Sequence, residues 1–422
     1  MVEQEHSYRG EKSAYFINPL HYRFKDIFYF QISGSEAINI TSTDLILALS
    51  DNELNFTKIR EILDRLNFTE KTFEILLQKK IIIPAELYPK TIITILEQFE
   101  QNLYTSDYSN SINSIFPYSE SYGYRIVSVI KAALSLNKTF VLDRISDSGM
   151  CVKFKNGYVY NIISENCFNE DPVSIQITKS KSLSSFLLRS HMINVPAQCV
   201  LSPKDKEVAF NMAKKIGYPL CIKPDDRAES IDVFPQIYTE TELLTVLEYV
   251  SKKYDKIILE KHIVGKVYRL YYCFGMLNLA IEKRRKYVIG DGCSTVSKLA
   301  TQKYGATDLH KYHMDFLLSL AQQNVQPITI LPHGCQINIS NTANENDFTI
   351  THLINKEFFT WVERIAGIIG MNAFAIDIIS DSLSMFNNPA VLEIQECPEF
   401  HCDNPIADVF YIELIKNLTS PF

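Results

Sequence analysis

The chain has 422 residues, which is too long for one hydrophobic core, so we expect two or three packed units. Hydrophobic residues make up 46% and charged residues 22% of the sequence, proportions that exclude a largely disordered protein. The 42 Lys and Arg and the 49 Asp and Glu give a net charge of −7, which argues against non-specific binding to nucleic acid or to an anionic membrane.

The spacing of the cysteines and the length of the apolar runs indicate the cellular compartment in which the protein is expected. Nine cysteines are scattered singly along the chain, an arrangement typical of reduced thiols rather than of a disulfide framework. No apolar run reaches the roughly 18 residues that a membrane-spanning helix needs, and the first ten residues do not resemble a signal peptide. We therefore expect a cytoplasmic protein.

Residues 1–90 predict a small domain made of a strand, three short helices and a second strand. A β-branched and aromatic run over 27–33 predicts the first strand, and a short apolar run that stops at Pro84 predicts the second. Apolar periodicity and capping residues predict three helices, over 43–50, 56–66 and 69–78. This unit loosely resembles the winged-helix-like elements that hold leader peptides in enzymes that modify ribosomal peptides.

Two interpretations of this N-terminal domain stay open. One is a recognition domain in which a leader peptide pairs with the edge of the strand at 27–33, since extended peptides add to exposed strands. The other is a structural cap. We expect no DNA binding, because the helix over 56–66 mixes basic and acidic residues and has no basic face.

The rest of the chain predicts two further domains. Residues 91–178 form a connector and a small α/β domain, with a helix over 124–132, a strand over 140–143 and a hairpin that turns at Asn156-Gly157. From residue 179 to residue 422 strands and helices alternate, beginning with helices over 182–190, 203–215 and 239–253 and strands over 197–200, 219–223 and 256–260. This rhythm predicts a mixed α/β (α+β) body of the kind that carries catalysis.

Charged residues at the ends of apolar strands are the first candidates for chemistry. Lys223 ends the predicted strand at 219–223, and Glu260 ends the one at 256–260. A lysine at the end of a buried strand is placed to meet an anion, because lysines are rarely buried without a partner. A lysine that extends along the surface would give the same pattern, so both interpretations stay open.

Two later strands each place a carboxylate among aliphatic residues. Asp377 lies on the first and Glu393 on the second, and strand alternation puts Gln395 on the same face as Glu393. Converging oxygen donors of this kind suit Mg²⁺, which takes few protein ligands and completes its shell with phosphate and water. The alternative, in which each acid pairs with an arginine, also fits the sequence.

Five segments carry a resemblance to a known family. They are KSLSSFLL with INVP at 181–196, IGYPLCIKP at 216–224, LEKHIVGKVYRL at 259–270, VIGDGCSTV at 288–296, and ID with EIQECP at 376–377 and 393–398. In this order and at these spacings they resemble the ATP-grasp superfamily, in particular the branch of cyanophycin synthetase and the bifunctional glutathione synthetases. The resemblance covers more than half of the chain.

The resemblance implies an ATP-grasp fold and an activity. The activity would be that of a Mg·ATP-dependent carboxylate–amine ligase, which forms an amide or peptide bond through an acyl phosphate. The implied substrate is a small molecule or a peptide, a ribosomal peptide included, and a second copy of the chain stays open as a partner. The alternative is a degenerate member that binds a peptide or a nucleotide without catalysis.

The resemblance also assigns roles by position. The residues implied in ATP binding are Lys181, Lys223, Glu260, Lys261 and Ile263. The residues implied to face phosphate or the substrate carboxylate, and so to act in catalysis, are Arg269, Lys283, Arg284 and Arg285. The residues implied to hold one or two Mg²⁺ are Asp377, Glu393 and Gln395.

Several positions depart from the family pattern. Residues 225–232 contain no glycine and carry a net charge of −3, where the family has a glycine-rich loop that approaches the phosphates closely. Val267 stands where the family has the acid that binds ribose, Gln395 where it has asparagine, and Lys283 where it has arginine. The segment 341–344 also lacks the glycines of a second family loop. These departures keep the degenerate alternative open.

Overall fold

The chain divides into two compact units in the computed structural model. One comprises residues 1–169 with 399–422, and the other comprises residues 170–398. The structure describes the following residues: 14–17, 21–24, 27–31, 37–40, 45, 49, 54–79, 81–84, 128–129, 132–133, 135–136, 138, 140–146, 149–154, 159–163, 166–167, 170–227, 230–347, 354–396 and 405–419.

Nineteen strands and eleven helices are described. The strands are β1 Ala14–Ile17, β2 His21–Phe24, β3 Ile27–Gln31, β4 Ala37–Ile40, β5 Leu54–Asn55, β6 Ile82–Pro84, β7 Phe140–Ser146, β8 Gly149–Phe154, β9 Val159–Ile163, β10 Asn166–Cys167, β11 Gln198–Leu201, β12 Leu220–Lys223, β13 Phe234–Ile237, β14 Ile257–Lys261, β15 Lys266–Cys273, β16 Met276–Ile289, β17 Gln336–Asp347, β18 Ala373–Ser380 and β19 Ala390–Gln395. The helices are α1 Phe56–Arg65, α2 Glu70–Gln78, α3 Pro172–Lys179, α4 Lys181–Ser190, α5 Lys206–Ile216, α6 Glu240–Val250, α7 Val296–Tyr304, α8 Ala306–Lys311, α9 His313–Gln322, α10 Lys356–Ile369 and α11 Pro405–Thr419.

The first unit contains three small antiparallel sheets. Their strand orders are β5-β1-β6, β2-β3-β4 and β10-β9-β8-β7. The predicted helices at 56–66 and 69–78 are confirmed as α1 and α2, which bury Ile59, Ile62 and Phe73 in a common core. The predicted strands at 27–33 and before Pro84 are β3 and β6, but they lie in different sheets. The winged-helix-like arrangement therefore stays a prediction.

Other predictions for this unit are met in part. Strands β8 and β9 pair as the predicted hairpin, although its Asn-Gly turn lies outside the described residues. Leu45 and Leu49 are helical and buried, as the predicted helix over 43–50 requires, and residues 128–129 and 132–133 are helical near the predicted helix over 124–132. The connector from 91 to 121 lies outside the described residues.

The second unit is built on two antiparallel sheets, and the smaller one comes first in the chain. Its order is β11-β14-β12-β13. All four residues of β12 are buried: Leu220 and Ile222 pack in the continuous apolar core that α5 and α6 complete, and Cys221 and Lys223 face the other side of the sheet. Helix α6 begins at a capping box in which the Thr239 side chain accepts from the Glu242 backbone N–H and the Glu242 carboxylate accepts from the Thr239 N–H. This core fixes the direction in which Lys223, the last residue of β12, leaves the sheet.

The larger sheet has five strands in the order β17-β16-β15-β18-β19. Helix α10 packs on it through Phe358, Val362, Ile365 and Ile369, whose spacing of three and four residues forms one apolar face. The helix ends at Gly370, which has a left-handed φ of 73° that favours glycine. The sheet is therefore covered on one side and leaves its other side for the polar residues described below.

The fold class predicted from the sequence is confirmed, since the chain is a mixed α/β protein. The helices and strands predicted between 182 and 260 are present as α4, α5, α6, β11, β12 and β14, with ends that differ by no more than three residues. Within the described ranges, no helix is both long and apolar enough to cross a membrane.

Candidate functional site

A cleft of about 800 Å³ lies between the two sheets of the second unit. Eight of the described residues that line it are basic, and four are acidic. The basic residues are Lys181, Lys223, Arg227, Lys261, Lys266, Lys283, Arg284 and Arg285, and the acidic residues are Glu260, Glu282, Asp377 and Glu393. The lining is therefore cationic in a chain whose net charge is −7, a contrast that favours an anionic ligand.

A buried ion pair lies on the floor of the cleft. Lys223 Nζ is 2.9 Å from Glu260 Oε1, and the two side chains are only 7% and 4% exposed. Burial lowers the pKa of Lys223, but the Glu260 carboxylate outweighs it and the net shift is upward, so the amine stays charged. The same Nζ also lies 3.4 Å from the Leu392 carbonyl oxygen on β19, so this lysine contacts both sheets.

One carboxylate oxygen of the pair lacks a partner. Glu260 Oε2 is buried without a hydrogen bond to any residue that the structure describes. Cys221 lines the same floor because it lies two residues before Lys223 on β12 and therefore shares its face. A buried acceptor without a donor is costly, which points to a ligand that supplies a donor here.

The segment that follows Glu260 forms one wall of the cleft. Lys261 Nζ donates to the carbonyl oxygens of Gly217 and Tyr218, and its backbone N–H donates to Ala197. These bonds hold the segment from Glu260 to Ile263 along the edge of the cleft. Burial lowers the pKa of His262 to about 4, and Arg285 and Lys261 add to this effect, so the imidazole is neutral near pH 7.

The basic run Lys283, Arg284 and Arg285 enters the cleft where β16 pairs irregularly with β17, the strand that carries the extra residues. Consecutive side chains of a regular strand point to opposite faces, yet all three of these residues line the cleft. The pairing of β16 with β17 shifts register between Arg284 and Arg285 and again between Arg285 and Tyr287. A bulge of this kind re-aims side chains, and here it brings Arg285 Nη1 to 3.4 Å from Gln236 Oε1 on β13.

Arg269, Asp377 and Glu393 form a row across three adjacent strands. Arg269 on β15 lies opposite Asp377 on β18, and Asp377 lies opposite Glu393 on β19. Arg269 donates to both oxygens of Asp377 at 2.7 and 2.9 Å, and Lys283 Nζ donates at 3.2 Å. Burial raises the pKa of Asp377, but these two cations outweigh it and hold that pKa well below its ordinary value.

The predicted metal ligands fit a divalent ion only in part. Glu393 is 24% exposed toward the cleft, and Gln395 Nε2 donates to it at 3.0 Å. Both oxygens of Asp377 are already occupied by Arg269 and Lys283. Among the described residues no group of three or more His, Cys, Asp or Glu could hold a metal ion. The donors suit a cation at Glu393 and do not suit one at Asp377, and the metal assignment stays a prediction.

Two acids of the glycine-free loop, Asp225 and Asp232, turn away from the cleft. Asp225 accepts hydrogen bonds from Ser180 and Ser182 at the start of α4, and Asp232 accepts from Lys253 and Tyr254. In the described part of the loop, Arg227 and not these acids lines the cleft. The repulsion that the loop's net charge of −3 would exert on an anion is therefore reduced, because two of its acids have partners elsewhere.

Sequence reasoning missed a buried acid next to the cleft. Asp315 on α9 accepts hydrogen bonds from the Asn341 and Thr342 backbone N–H groups and from the Thr342 hydroxyl. Burial raises the pKa of Asp315 to about 6 in spite of these donors. Asn341 and Thr342 line the cleft, so Asp315 holds part of its wall. Asp315 lies 26 residues before its partners on another element, which leaves no local signal in the sequence.

Ten of the twelve predicted site residues line the cleft, and the other two lie beside it. The ten are Lys181, Lys223, Glu260, Lys261, Ile263, Lys283, Arg284, Arg285, Asp377 and Glu393. Arg269 contacts Asp377, and Gln395 contacts Glu393, at the side of the cleft. The structure thus brings the predicted set together, while the role of each residue stays a prediction. Arg227 and Gln236 also line the cleft and were not predicted.

The fold and the site define a mixed α/β protein with a cationic cleft between two antiparallel sheets. No family model matches the chain. A cyanophycin synthetase from Synechocystis sp. is 24% identical over 248 residues, which are 54% of this chain and 28% of that protein. A D-alanine–D-alanine ligase from Bacillus anthracis is 31% identical over 94 residues, 22% of this chain and 30% of that one. The bifunctional glutathione biosynthesis protein GshAB of Streptococcus mutans is 22% identical over 241 residues, 53% and 32% of the two chains.

This chain spans about a third or less of the length of these curated relatives. Among solved structures, a bifunctional glutathione synthetase from Pasteurella multocida has a TM-score of 0.44 at 14% identity, over 86% of this chain and 54% of that one. The ATP-grasp ligase PsnB with a minimal precursor has a TM-score of 0.35 at 15% identity, over 59% and 62%. The sequence similarity to the curated synthetases and ligases supports the ATP-grasp superfamily that the motifs indicated.

Proposed function

We propose that this chain is a Mg·ATP-dependent carboxylate–amine ligase of the ATP-grasp type, which forms an amide or peptide bond. The observation that carries the proposal is the cationic cleft between the two sheets, with the buried pair of Lys223 and Glu260 on one side and Asp377 and Glu393 on the other. Such a cleft suits a triphosphate, whose negative charge must be neutralised during phosphoryl transfer.

In this proposal the nucleotide lies along the wall that the smaller sheet provides. Lys223 and Lys181 contact its phosphates, and the segment from Glu260 to Ile263 contacts the base. Lys261, which is also predicted to bind ATP, supports that segment through its hydrogen bonds to the carbonyl oxygens of Gly217 and Tyr218. The unpartnered Glu260 Oε2 is suited to accept a hydrogen bond from a nucleotide N–H group.

The proposed reaction has two steps. A carboxylate oxygen of the substrate attacks the γ-phosphorus, the bond to the bridging oxygen breaks, and ADP leaves as an acyl phosphate forms. The amine nitrogen then attacks the carbonyl carbon, inorganic phosphate leaves with its electron pair, and the nitrogen gives up a proton. The negative charge of the phosphoryl group is stabilised, or the substrate carboxylate is bound, by Lys283, Arg284 and Arg285. Arg269, on the larger sheet, supports these residues from the side of the cleft.

Mg²⁺ is the divalent ion that accompanies the nucleotide in this proposal. Glu393, whose carboxylate lines the cleft, and Gln395 beside it, which carries an amide oxygen, are the residues suited to hold it. When bound, the ion would neutralise phosphate charge and orient the nucleotide.

The substrate is proposed to be a small molecule or a peptide. Arg284 and Arg285 are exposed as well as cleft-lining, so they are accessible to a carboxylate that enters from solvent. A leader peptide at the N-terminal domain, modification of a ribosomal peptide, assembly with a second copy and a cytoplasmic location belong to the same proposal.

Thermal unfolding with and without Mg·ATP tests nucleotide binding. One-site binding predicts a gain of about 2.7 kcal/mol in unfolding free energy when the nucleotide concentration is one hundred times the Kd. Incubation with ATP and pools of amino acids and peptides, followed by assays of ADP release and mass spectrometry, then tests for a ligase. An amide product that requires ATP is the expected result.

A degenerate binding module is the second candidate, and two observations favour it. Both oxygens of Asp377 are occupied by cations, and the backbone N–H groups of Asn341 and Thr342 bind Asp315 rather than facing the cleft. This candidate predicts that nucleotide or peptide binds and that ADP release stays at background with every substrate pool. ADP release that depends on one substrate would exclude it.

A further inference from the structure

The carboxylate of Asp377 is fully committed to cations of the chain itself. Its two oxygens accept three hydrogen bonds from Arg269 and Lys283 at 2.7, 2.9 and 3.2 Å. The Asp377 side chain is 6% exposed, and those of Arg269 and Lys283 are 12% and 9% exposed. The three side chains therefore form a compact cluster with little access to water.

Glu393, directly opposite on β19, is held much more loosely. Its carboxylate accepts one hydrogen bond, from the neutral Gln395 amide at 3.0 Å, and lies 3.6 Å from Lys181 Nζ and 3.8 Å from Arg269 Nη2, which are longer than hydrogen bonds. Its side chain is 24% exposed and lines the cleft. Glu393 can therefore exchange its partners for a bound cation at far smaller cost than Asp377.

A divalent ion on Asp377 would meet a specific obstacle. It would have to replace a two-bond arginine contact and a lysine contact, both charge-assisted. Arginine does not give up its proton in proteins, so Arg269 would stay charged and nearly buried beside the ion. Two positive groups that share one nearly buried carboxylate repel each other strongly, because little water is present to screen them.

We propose that Asp377 is the fixed counter-ion of Arg269 and Lys283 and not a metal ligand, so that the cleft takes up its nucleotide with one divalent ion, held on the Glu393 side. This inference rests on the proposed nucleotide binding. In it, Asp377 is a positioning residue that keeps Arg269 and Lys283 oriented along the larger sheet. Arg269 and Lys283 then neutralise the phosphate charge of the nucleotide that a second metal ion would otherwise neutralise.

Counting bound metal tests the proposal directly. The full chain is titrated with Mn²⁺ in the presence of a non-hydrolysable ATP analogue, and free Mn²⁺ is followed by electron paramagnetic resonance. We expect one Mn²⁺ per chain beyond that bound by free analogue. Two Mn²⁺ per chain would overturn the proposal.

Paired substitutions identify the ligand. Glu393→Gln is expected to weaken Mn²⁺ binding about tenfold or more, as loss of a ligating carboxylate does. The double variant Asp377→Asn with Lys283→Met keeps the net charge of the cleft, and once the analogue is raised to saturate the variant it is expected to keep the one Mn²⁺ per chain with an affinity within about threefold. A loss in the double variant as large as that in Glu393→Gln would contradict the proposal.

A measurement without metal or nucleotide separates this inference from the proposed function. In buffer with a chelator, Asp377→Asn is expected to lower the denaturant midpoint because it leaves two cations unpaired, and Lys283→Met in the same chain is expected to reduce that loss. A midpoint that stays unchanged or rises in Asp377→Asn would overturn the counter-ion role. If the analogue fails to bind, the ligase proposal falls, and the midpoints still decide the role of Asp377.

Discussion

Lys223 Nζ lies 2.9 Å from Glu260 Oε1, and β12 and β14 bring the two nearly buried side chains together on the floor of the cleft. A buried ion pair contributes little net stability, because desolvation of both charges offsets their attraction. Apolar residues of similar size would hold these strands together equally well. The pair is therefore better explained by the nucleotide proposed to bind in the cleft than by the stability of the sheet.

Removal of one partner of this pair is expected to destabilise the chain. Lys223→Met leaves Glu260 as an uncompensated buried charge and Glu260→Gln does the same to Lys223, so each change is expected to lower the unfolding free energy by about 3–5 kcal/mol. Urea denaturation measures the loss. The double variant serves as the control and is expected to lose less than either single variant, whereas additive losses would contradict the coupling.

Glu393→Gln is expected to abolish phosphate release that depends on substrate. The change keeps the size of the side chain and removes the charge that suits the proposed metal ion, and we expect a decrease in turnover of about 100-fold or more. A coupled phosphate assay measures it. Glu248→Gln, which alters an exposed pair with Lys206, is the matched control and is expected to leave turnover unchanged. Full turnover in Glu393→Gln would show that the metal assignment is wrong.

Gly290, in the Gly-Asp-Gly turn, is required by a close approach of two chain segments. A Cβ atom there would clash with the Pro332 carbonyl oxygen and lie 2.6 Å from Leu331 Cβ. Gly290→Ala is therefore expected to cost about 1–3 kcal/mol in unfolding free energy, measured by urea denaturation. Gly367 in α10 has nothing within 4 Å of such a Cβ, and Gly367→Ala is expected to stabilise by about 0.5–1 kcal/mol.

Asp315 is expected to make the chain less stable as the pH rises. Its pKa is raised from the ordinary 3.8 to about 6 by burial, so between these values the folded state binds more protons than the unfolded state. The contribution of Asp315 to the unfolding free energy therefore falls by about 2 kcal/mol as the pH rises from about 4 to 6. In Asp315→Asn this decrease is expected to disappear. An identical pH dependence in the two chains would contradict the assignment.

His262 is expected to act in the opposite direction. Burial, with help from Arg285 and Lys261, lowers its pKa from 6.5 to about 4, so the unfolded state binds the extra proton in that window. The contribution of His262 to the unfolding free energy is therefore expected to fall as the pH decreases from 6.5 to about 4, and His262→Gln is expected to remove that contribution. Denaturation of both chains at several pH values measures it, and a steeper acid loss in the variant would contradict this sign.

Much of the site could be predicted because its signals are local. Apolar runs bounded by Pro224 and by the turn at Gly265 predict where β12 and β14 end, and so predict the positions of Lys223 and Glu260. The pairing of Asp377 with its neighbour on β19 follows from two apolar strands close in sequence.

The rest of the site depends on contacts that no local pattern encodes. The contact of Lys223 with the Leu392 carbonyl oxygen joins positions 169 residues apart. The commitment of Asp377 to Arg269 appeared in the sequence only as an alternative, because the charges alone do not distinguish a metal ligand from an ion pair. The direction in which Asp225 and Asp232 turn depends on partners supplied by other helices and turns.

Because the pairing of β16 with β17 shifts register, the charged side chains that line the cleft depend on the number of residues in this part of the two strands. Between the pairs Arg284–Glu345 and Tyr287–Asn338, β17 runs over seven residues while β16 runs over three, so the extra residues lie in β17. A change in their number would shift the pairing of the two strands and alter which side chains meet at the cleft. Short insertions and deletions at this edge therefore offer related chains an economical route to new substrate preferences.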